Sequence, residues 1–274
     1  MTIHSFLKAE RGDPDWQFTP DQHFGKEFKM VDASSIELKA NTSDLMVLRQ
    51  TPTDKKLLAK HLNIKIREEA KLDLFIINEA DSKLQQIFLY DIYVHKDGIL
   101  NLGLFVKDGK LNKHILQIYL EEGASFAAYG VMSNGVGGDT EIITKTIHRN
   151  LETMSNQLFL GLAEGKSQTV FQGMVGLEEG SEGSEANVSS INLVTEAGGR
   201  CFAKPEIYSD CMDTTTNLTS NVETLDAEKI YYLQSRGVSA GQATAVITDS
   251  FKNQVFNLIP YNDLKQEIQQ MYAD

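Results

Sequence analysis

Between Ile64 and about Val222 the chain is cut into short apolar runs, and many of these runs alternate. Leu100, Leu102, Leu104 and Val106 stand two residues apart, which lines one face of a β-strand and scatters around a helix. Leu72–Ile77, Ile87–Val94, Ile99–Val106 and His114–Leu120 read as strands of this kind. Acidic-Gly or acidic-Ala turns separate them: Glu69-Ala70, Asp97-Gly98, Asp108-Gly109, Glu122-Gly123, Glu164-Gly165, Glu179-Gly180 and Glu196-Ala197. Glycine in such turns supplies a positive φ that other residues resist. The body is therefore all-β. It could be a sandwich, or a coil that lays each strand on the one before it. The intervals are not strict and no hexapeptide or nonapeptide repeat is present, so the pattern alone favours the sandwich.

The two flanks have other characters. Residues 1 to about 40 are irregular: Pro14 and Pro20 break any helix, and Trp16, Phe18, Phe24 and Phe28 offer apolar anchors. A short helix is expected over Thr53–Leu62, with Asp54 near its start and Leu57, Leu58 and Leu62 on one face. Residues 1–63 are thus expected to form a docking segment. At the other end, Lys204–Val222 is rich in Thr, Ser and Asn, and the sequence turns amphipathic from Thr224, with Ile230, Tyr231 and Leu233 among charges. Gly237 ends that helix. Ser239 and Gln242 form a capping box for the next. Ala243, Val246, Ile247, Phe251, Val255 and Leu258 make its apolar stripe, and Pro260 stops it. A last helix is expected from about Asp263 to Tyr272, with Leu264, Ile268 and Met271 on one face. The helical tail packs on its own body or offers a platform to a partner; periodicity favours the first.

Charge and composition exclude several functions. A net charge of −12 opposes a nucleic-acid surface or an anionic membrane. No run approaches a membrane span, and MTIHSFLKAERGDPDW is not a secretory signal. Two cysteines, Cys201 and Cys211, cannot make a disulfide framework. A cytoplasmic protein is expected. Residues 131–142, VMSNGVGGDTEI, contain no phosphate-binding lysine and match no nucleotide motif, so they read as a surface loop. A carbohydrate-active β-helix enzyme would need paired carboxylates in a groove, whereas the acidic residues here sit mostly in turns.

Several motifs occur in a fixed order: His148 with Ser155-Asn156-Gln157, Val170–Gly173, Ile191-Asn192-Leu193, Lys204-Pro205-Glu206, and Leu225-Asp226 through Gly237. As an ordered set they resemble the core of the SufB/SufD family, scaffold proteins of the SUF iron–sulfur cluster assembly system. The resemblance runs from about Glu122 to Pro260. It implies a right-handed parallel β-helix with a small C-terminal helical domain, and so decides against the sandwich. The expected division is 1–63, a β-helix over 64–222, and helices over 223–274.

The resemblance also implies a role. Such proteins are non-enzymatic scaffolds that pair with a SufB-type homologue or a second copy and dock a SufC-type ABC ATPase on their C-terminal helices. Lys229, Gln234 and Arg236 on the first helix are the expected partner contacts. The chain looks like a short, divergent, SufD-like member. It departs from the family at Leu218, where counting from Lys204-Pro205 places a histidine in SufD-type chains. Leucine has no donor atom. Cys201, Cys211 and His148 are the remaining candidate metal ligands. Cys201 and Cys211 could converge if they lie on stacked strands. Against this, buried Cys is often a small apolar residue, and a buried His is often satisfied by a backbone carbonyl. The chain alone is expected to bind no cofactor, a cluster being held transiently in the complex. A structural homodimer that has lost assembly is the alternative.

Overall fold

The structure is a computed structural model that describes residues 32–50, 57–135 and 137–273. Its described strands form two seven-stranded parallel sheets. One holds β1 (Asp32–Leu38), β3 (Leu57–Ile66), β5 (Gln85–Val94), β7 (Leu111–Leu120), β9 (Asp139–His148), β11 (Gln168–Leu177) and β13 (Arg200–Ser209). The other holds β2 (Ser43–Arg49), β4 (Lys71–Ala80), β6 (Ile99–Asp108), β8 (Ser125–Asn134), β10 (Met154–Ala163), β12 (Ser184–Val194) and β14 (Thr214–Thr224). Consecutive strands lie in opposite sheets, and each strand pairs in parallel with the second one after it. This is a parallel β-helix, as the ordered motifs implied and the alternation alone did not.

The turn length drifts, from 26 residues between paired Gln85 and Leu111 to 32 between paired Gln168 and Arg200. That drift hides the repeat from a search for fixed periods. The corners explain the acidic turns. Asn41, Glu69, Asp97, Gly123, Glu152 and Gly183 all have positive φ, between 54° and 73°. Each donates its backbone N–H to the corner of the next turn, as Asp97 does to the Glu122 carbonyl at 2.9 Å. At Asp97-Gly98 it is the aspartate that takes the left-handed conformation, not the glycine as the sequence suggested.

The coil begins earlier than residue 64. Asp32–Leu38, Ser43–Arg49 and Leu57–Ile66 are its first strands, so the expected docking segment is in part coil; its residues 1–31 and 51–56 lie outside the described residues. The helix expected over 53–62 is strand from Leu57 onward. The pairing puts Leu58, Lys60, Leu62, Ile64 and Ile66 on the inward side, and a lysine in that row broke the alternation. The loop expected over 131–142 is in part strand, because Val131–Asn134 completes β8 and Asp139–Ile142 opens β9; residue 136 lies outside the described residues. Gly138 is required there, since a Cβ would lie 2.0 Å from the Gly109 carbonyl oxygen.

Apolar side chains fill the interior over the first turns, among them Ile64, Leu74, Ile92, Leu102, Leu104 and Ile118, all fully buried. Further along, the interior becomes polar, with Thr144, Thr146, His148, Gln157 and Asn192 also buried. Phe159 and Phe171 bridge the two sheets there, their ring centroids 5.0 Å apart.

Three helices follow: α1 (Ala227–Ser235), α2 (Ala240–Phe256) and α3 (Asn262–Met271). Asp226 caps α1 by accepting the N–H groups of Glu228 and Lys229 at 2.9 and 3.2 Å. Gly237, at φ 89°, turns the chain out of it. The capping box of Ser239 and Gln242 is present at α2. Phe251, Val255, Phe256, Ile259, Leu264, Ile268 and Tyr272 pack on the outer face of the even-strand sheet, against Phe75, Phe105, Val131 and Leu160. Each such side chain, fully buried, contributes about 1.5–3 kcal/mol. Val246 and Leu258, expected in the same stripe, are instead 54% and 47% exposed.

Polar contacts pin the far end of the tail. The Tyr272 hydroxyl donates to the Val131 carbonyl at 2.7 Å, and Lys252 donates to the Tyr272 carbonyl at 2.8 Å. Tyr261 donates to Asp73 at 2.5 Å, and Arg49 grips Glu267 through two 2.6 Å bonds.

Candidate functional site

The coil ends at β13 and β14, which are the last strands of their sheets. Among the described residues no strand pairs with their outer edges. Ten residues of β14, Thr215 to Thr224, are exposed. Register with β12 turns Thr216, Leu218, Ser220 and Val222 toward the coil axis, where a further turn would cover them. Leu218 and Val222 are 43% and 49% exposed, and Tyr208 at the end of β13 and Met212 in the turn before β14 are more so. A strand of eleven residues with the single charge of Glu223 presents a ladder of unpaired backbone groups. Such an edge is a pairing surface. This edge is the Thr- and Asn-rich run of the sequence.

The first helix adjoins it. No residue of α1 is buried, so the amphipathic pattern of Ile230, Tyr231 and Leu233 does not pack as expected. Tyr231 is 73% and Tyr232 58% exposed. Lys229, Gln234 and Arg236 are exposed as well. Lys229 reaches only as far as Asp226, at 3.8 Å, and the Arg236 guanidinium lies 5.3 Å from the centroid of the Tyr232 ring. Tyr232, Leu233, Val246, Phe251 and the end of β12 at Leu193 line a hollow of about 800 Å³ between α1 and α2. Sequence reasoning passed over Tyr232 and placed Val246 in the buried stripe of α2. The adjacent pair Tyr231-Tyr232 was the available signal, because Ile230 and Leu233 share one face of the helix and the two tyrosines point away from it.

The candidate metal ligands do not come together. Cys201 is the second residue of β13, and Cys211 lies in the turn beyond its end. They are not on stacked strands. The eight steps from Cys201 to Ser209 alone span about 25 Å. Cys201 receives a hydrogen bond from the Thr169 hydroxyl at 3.1 Å, and burial pushes its thiol pKa up. A protonated thiol is a poor ligand and nucleophile. Cys211 is half-buried, its N–H bonded to the Ser209 hydroxyl.

His148 is fully buried inside the coil. Its Nδ1 pairs with the Thr153 hydroxyl at 2.7 Å and its Nε2 with the Ser155 hydroxyl at 2.8 Å. Two hydroxyls satisfy it rather than the expected backbone carbonyl. Among the described residues, no three His, Cys, Asp or Glu side chains stand where they could hold a metal ion. No described helix is long and apolar enough to cross a membrane.

The His148 environment has a measurable consequence. Burial lowers its pKa from 6.5 to about 4. The unfolded chain therefore takes up a proton below pH 6.5 that the folded chain refuses until about pH 4. This contribution is complete above pH 6.5 and is lost as pH falls toward 4. Urea unfolding of the wild type and of His148→Gln should show the wild type losing more stability across that window. Parallel curves would contradict the assignment.

Comparison with known proteins gives three findings. A family model described as SUF system FeS cluster assembly, SufBD core domain, matches residues 25–251. An iron–sulfur cluster assembly SufBD family protein of Synechocystis is 26% identical over 174 residues, covering 62% of this chain and 37% of that protein. The iron–sulfur cluster assembly protein SufD of Bacillus subtilis is 27% identical over 135 residues, covering 49% of this chain and 31% of its own. The chain thus spans about a third of the length of these relatives.

Proposed function

The chain belongs to the SufBD family, and on that premise we propose that it is a SufD-like scaffold subunit of an iron–sulfur cluster assembly complex. In this reading it performs no catalysis itself. Its partner along the coil edge is a SufB-type homologue or a second copy, and a SufC-type ATPase docks on its helical tail. The observation that carries the reading is the exposed last turn of the coil, unpaired among the described residues, beside a helix that buries none of its residues. Few folds leave both surfaces open without a use for them.

The tail contacts support a mechanical role. α2 and α3 are fastened to β2, β4 and β8 by Arg49, Tyr261 and Tyr272, so α1, which follows β14 directly, is the part of the tail left to pass a displacement to the edge where the partner pairs. Any cluster is cargo at that junction, and this chain brings few donors to it. Leu218 stands at the open end with no donor atom, and the neighbouring Thr219 and Ser220 offer only weak neutral oxygens. The same Leu218 favours the second reading, a structural dimer that has lost assembly.

The test combines sedimentation with anaerobic reconstitution by iron and sulfide. At micromolar concentration the chain should sediment as a dimer, or as a heterodimer when a cysteine-bearing SufB-type partner is added. After desalting, thiolate-to-iron absorbance should persist only with that partner. A strictly monomeric chain would count against the edge. A stoichiometric cluster on the chain alone, lost in the Cys201→Ala, Cys211→Ala double variant, would overturn the supporting role.

A further inference from the structure

The opposite end of the coil holds a cavity of about 360 Å³, within the range of small-molecule sites. Its walls include Leu48, Lys60, Leu62, Asn78, Phe88 and Tyr90. The pairing directs Lys60 inward, in line with Leu58, Leu62 and Ile64. An ammonium turned into a protein interior is costly unless an anion meets it. Among the described residues Lys60 meets no carboxylate; its contact is the neutral Gln50 Oε1 at 3.3 Å. Arg49 also borders the cavity, but its guanidinium is engaged by Glu267.

A second donor is prepared from below. Asn78 donates through Nδ2 to Gln86 Oε1 at 2.8 Å, and the same nitrogen is 3.2 Å from His114 Nε2. His114 is fully buried, and burial holds its imidazole neutral at physiological pH. With Nε2 accepting from Asn78, the ring proton sits on Nδ1. It is then donated to the Tyr90 oxygen, 3.0 Å away. The Tyr90 hydroxyl proton is left to point elsewhere, and Tyr90 is a cavity wall. Lys60 and Tyr90 thus offer donors, while Leu48, Leu62 and the Phe88 ring offer apolar surface.

We infer that this cavity is a binding site for a small organic carboxylate, its anion held by Lys60 and Tyr90 and its apolar body set against Leu62 and Phe88. One cation suits a monoanion better than a phosphate dianion.

Benzoate is the probe and benzamide, of the same shape without the charge, its control. Saturation-transfer NMR on the purified chain should give saturable benzoate binding, at least about tenfold tighter than benzamide. In Lys60→Met, benzoate affinity should fall by about tenfold or more with the circular dichroism spectrum unchanged. Absence of saturable benzoate binding, benzamide binding as tight as benzoate, or full affinity in a folded Lys60→Met would overturn the site. If Lys60→Met does not fold, the benzoate-to-benzamide ratio on the wild type decides alone.

Discussion

Replacing Phe159 with alanine is expected to lower the free energy of unfolding by about 3–5 kcal/mol. Phe159 is fully buried on β10, inside the coil, and its ring stacks on Phe171 of β11 across the two sheets. It pairs in register with Gly130 on one side and Ser190 on the other, neither of which can grow into the vacated space. The neighbouring interior is already polar, so the cavity would expose Thr and Gln groups to a void rather than close over it. Urea melts should show the loss as a shift in midpoint with little change in slope. Tyr231→Ala, at a position 73% exposed, should change stability by no more than about 0.5 kcal/mol. A Phe159→Ala midpoint close to that of the wild type would mean that the coil is not closed around this ring.

Ile268→Asp should have an effect of similar size but a different reach. Ile268 is fully buried where α3 meets the even-strand sheet. Aspartate there loses the apolar contact and buries a charge without a partner, a cost of at least about 3 kcal/mol. The coil carries its own interior, so the damage should stay in the tail. Hydrogen exchange should lose protection across α2 and α3 while amides of β4 and β6 keep theirs. Val246→Asp, on the exposed side of α2 at 54%, serves as the control. Loss of protection throughout the coil would show that the tail and the coil fold as one unit.

These two variants mark what the sequence could and could not disclose. Strands and corners were legible because alternation and acidic turns are local. Their arrangement was not, because a sandwich strand and a coil strand alternate alike, and the turn length drifts too far to read as a repeat. The ordered motifs supplied what periodicity lacked. The first strands were missed where an inward Lys60 imitated a helical face around Leu57, Leu58 and Leu62. The capping box and the stop before Pro260 were legible from residue chemistry alone. The exposure of α1 was not, because its apolar positions look the same whether or not anything covers them. Nor did the spacing of Cys201 and Cys211 reveal that β13 runs its length between them.

The most direct measurement is calorimetric titration of the purified chain with a SufC-type ATPase, for the wild type and for the Lys229→Glu, Arg236→Glu double variant. Lys229 is exposed on α1 and Arg236 at its C-cap, and neither supports the core, so the double variant should melt like the wild type. Reversing two exposed charges tunes association more than folding. A saturable complex is expected for the wild type, weakened by about tenfold or more in the double variant. No binding at any attainable concentration would contradict the scaffold reading, and unchanged affinity in the double variant would place the contact away from α1.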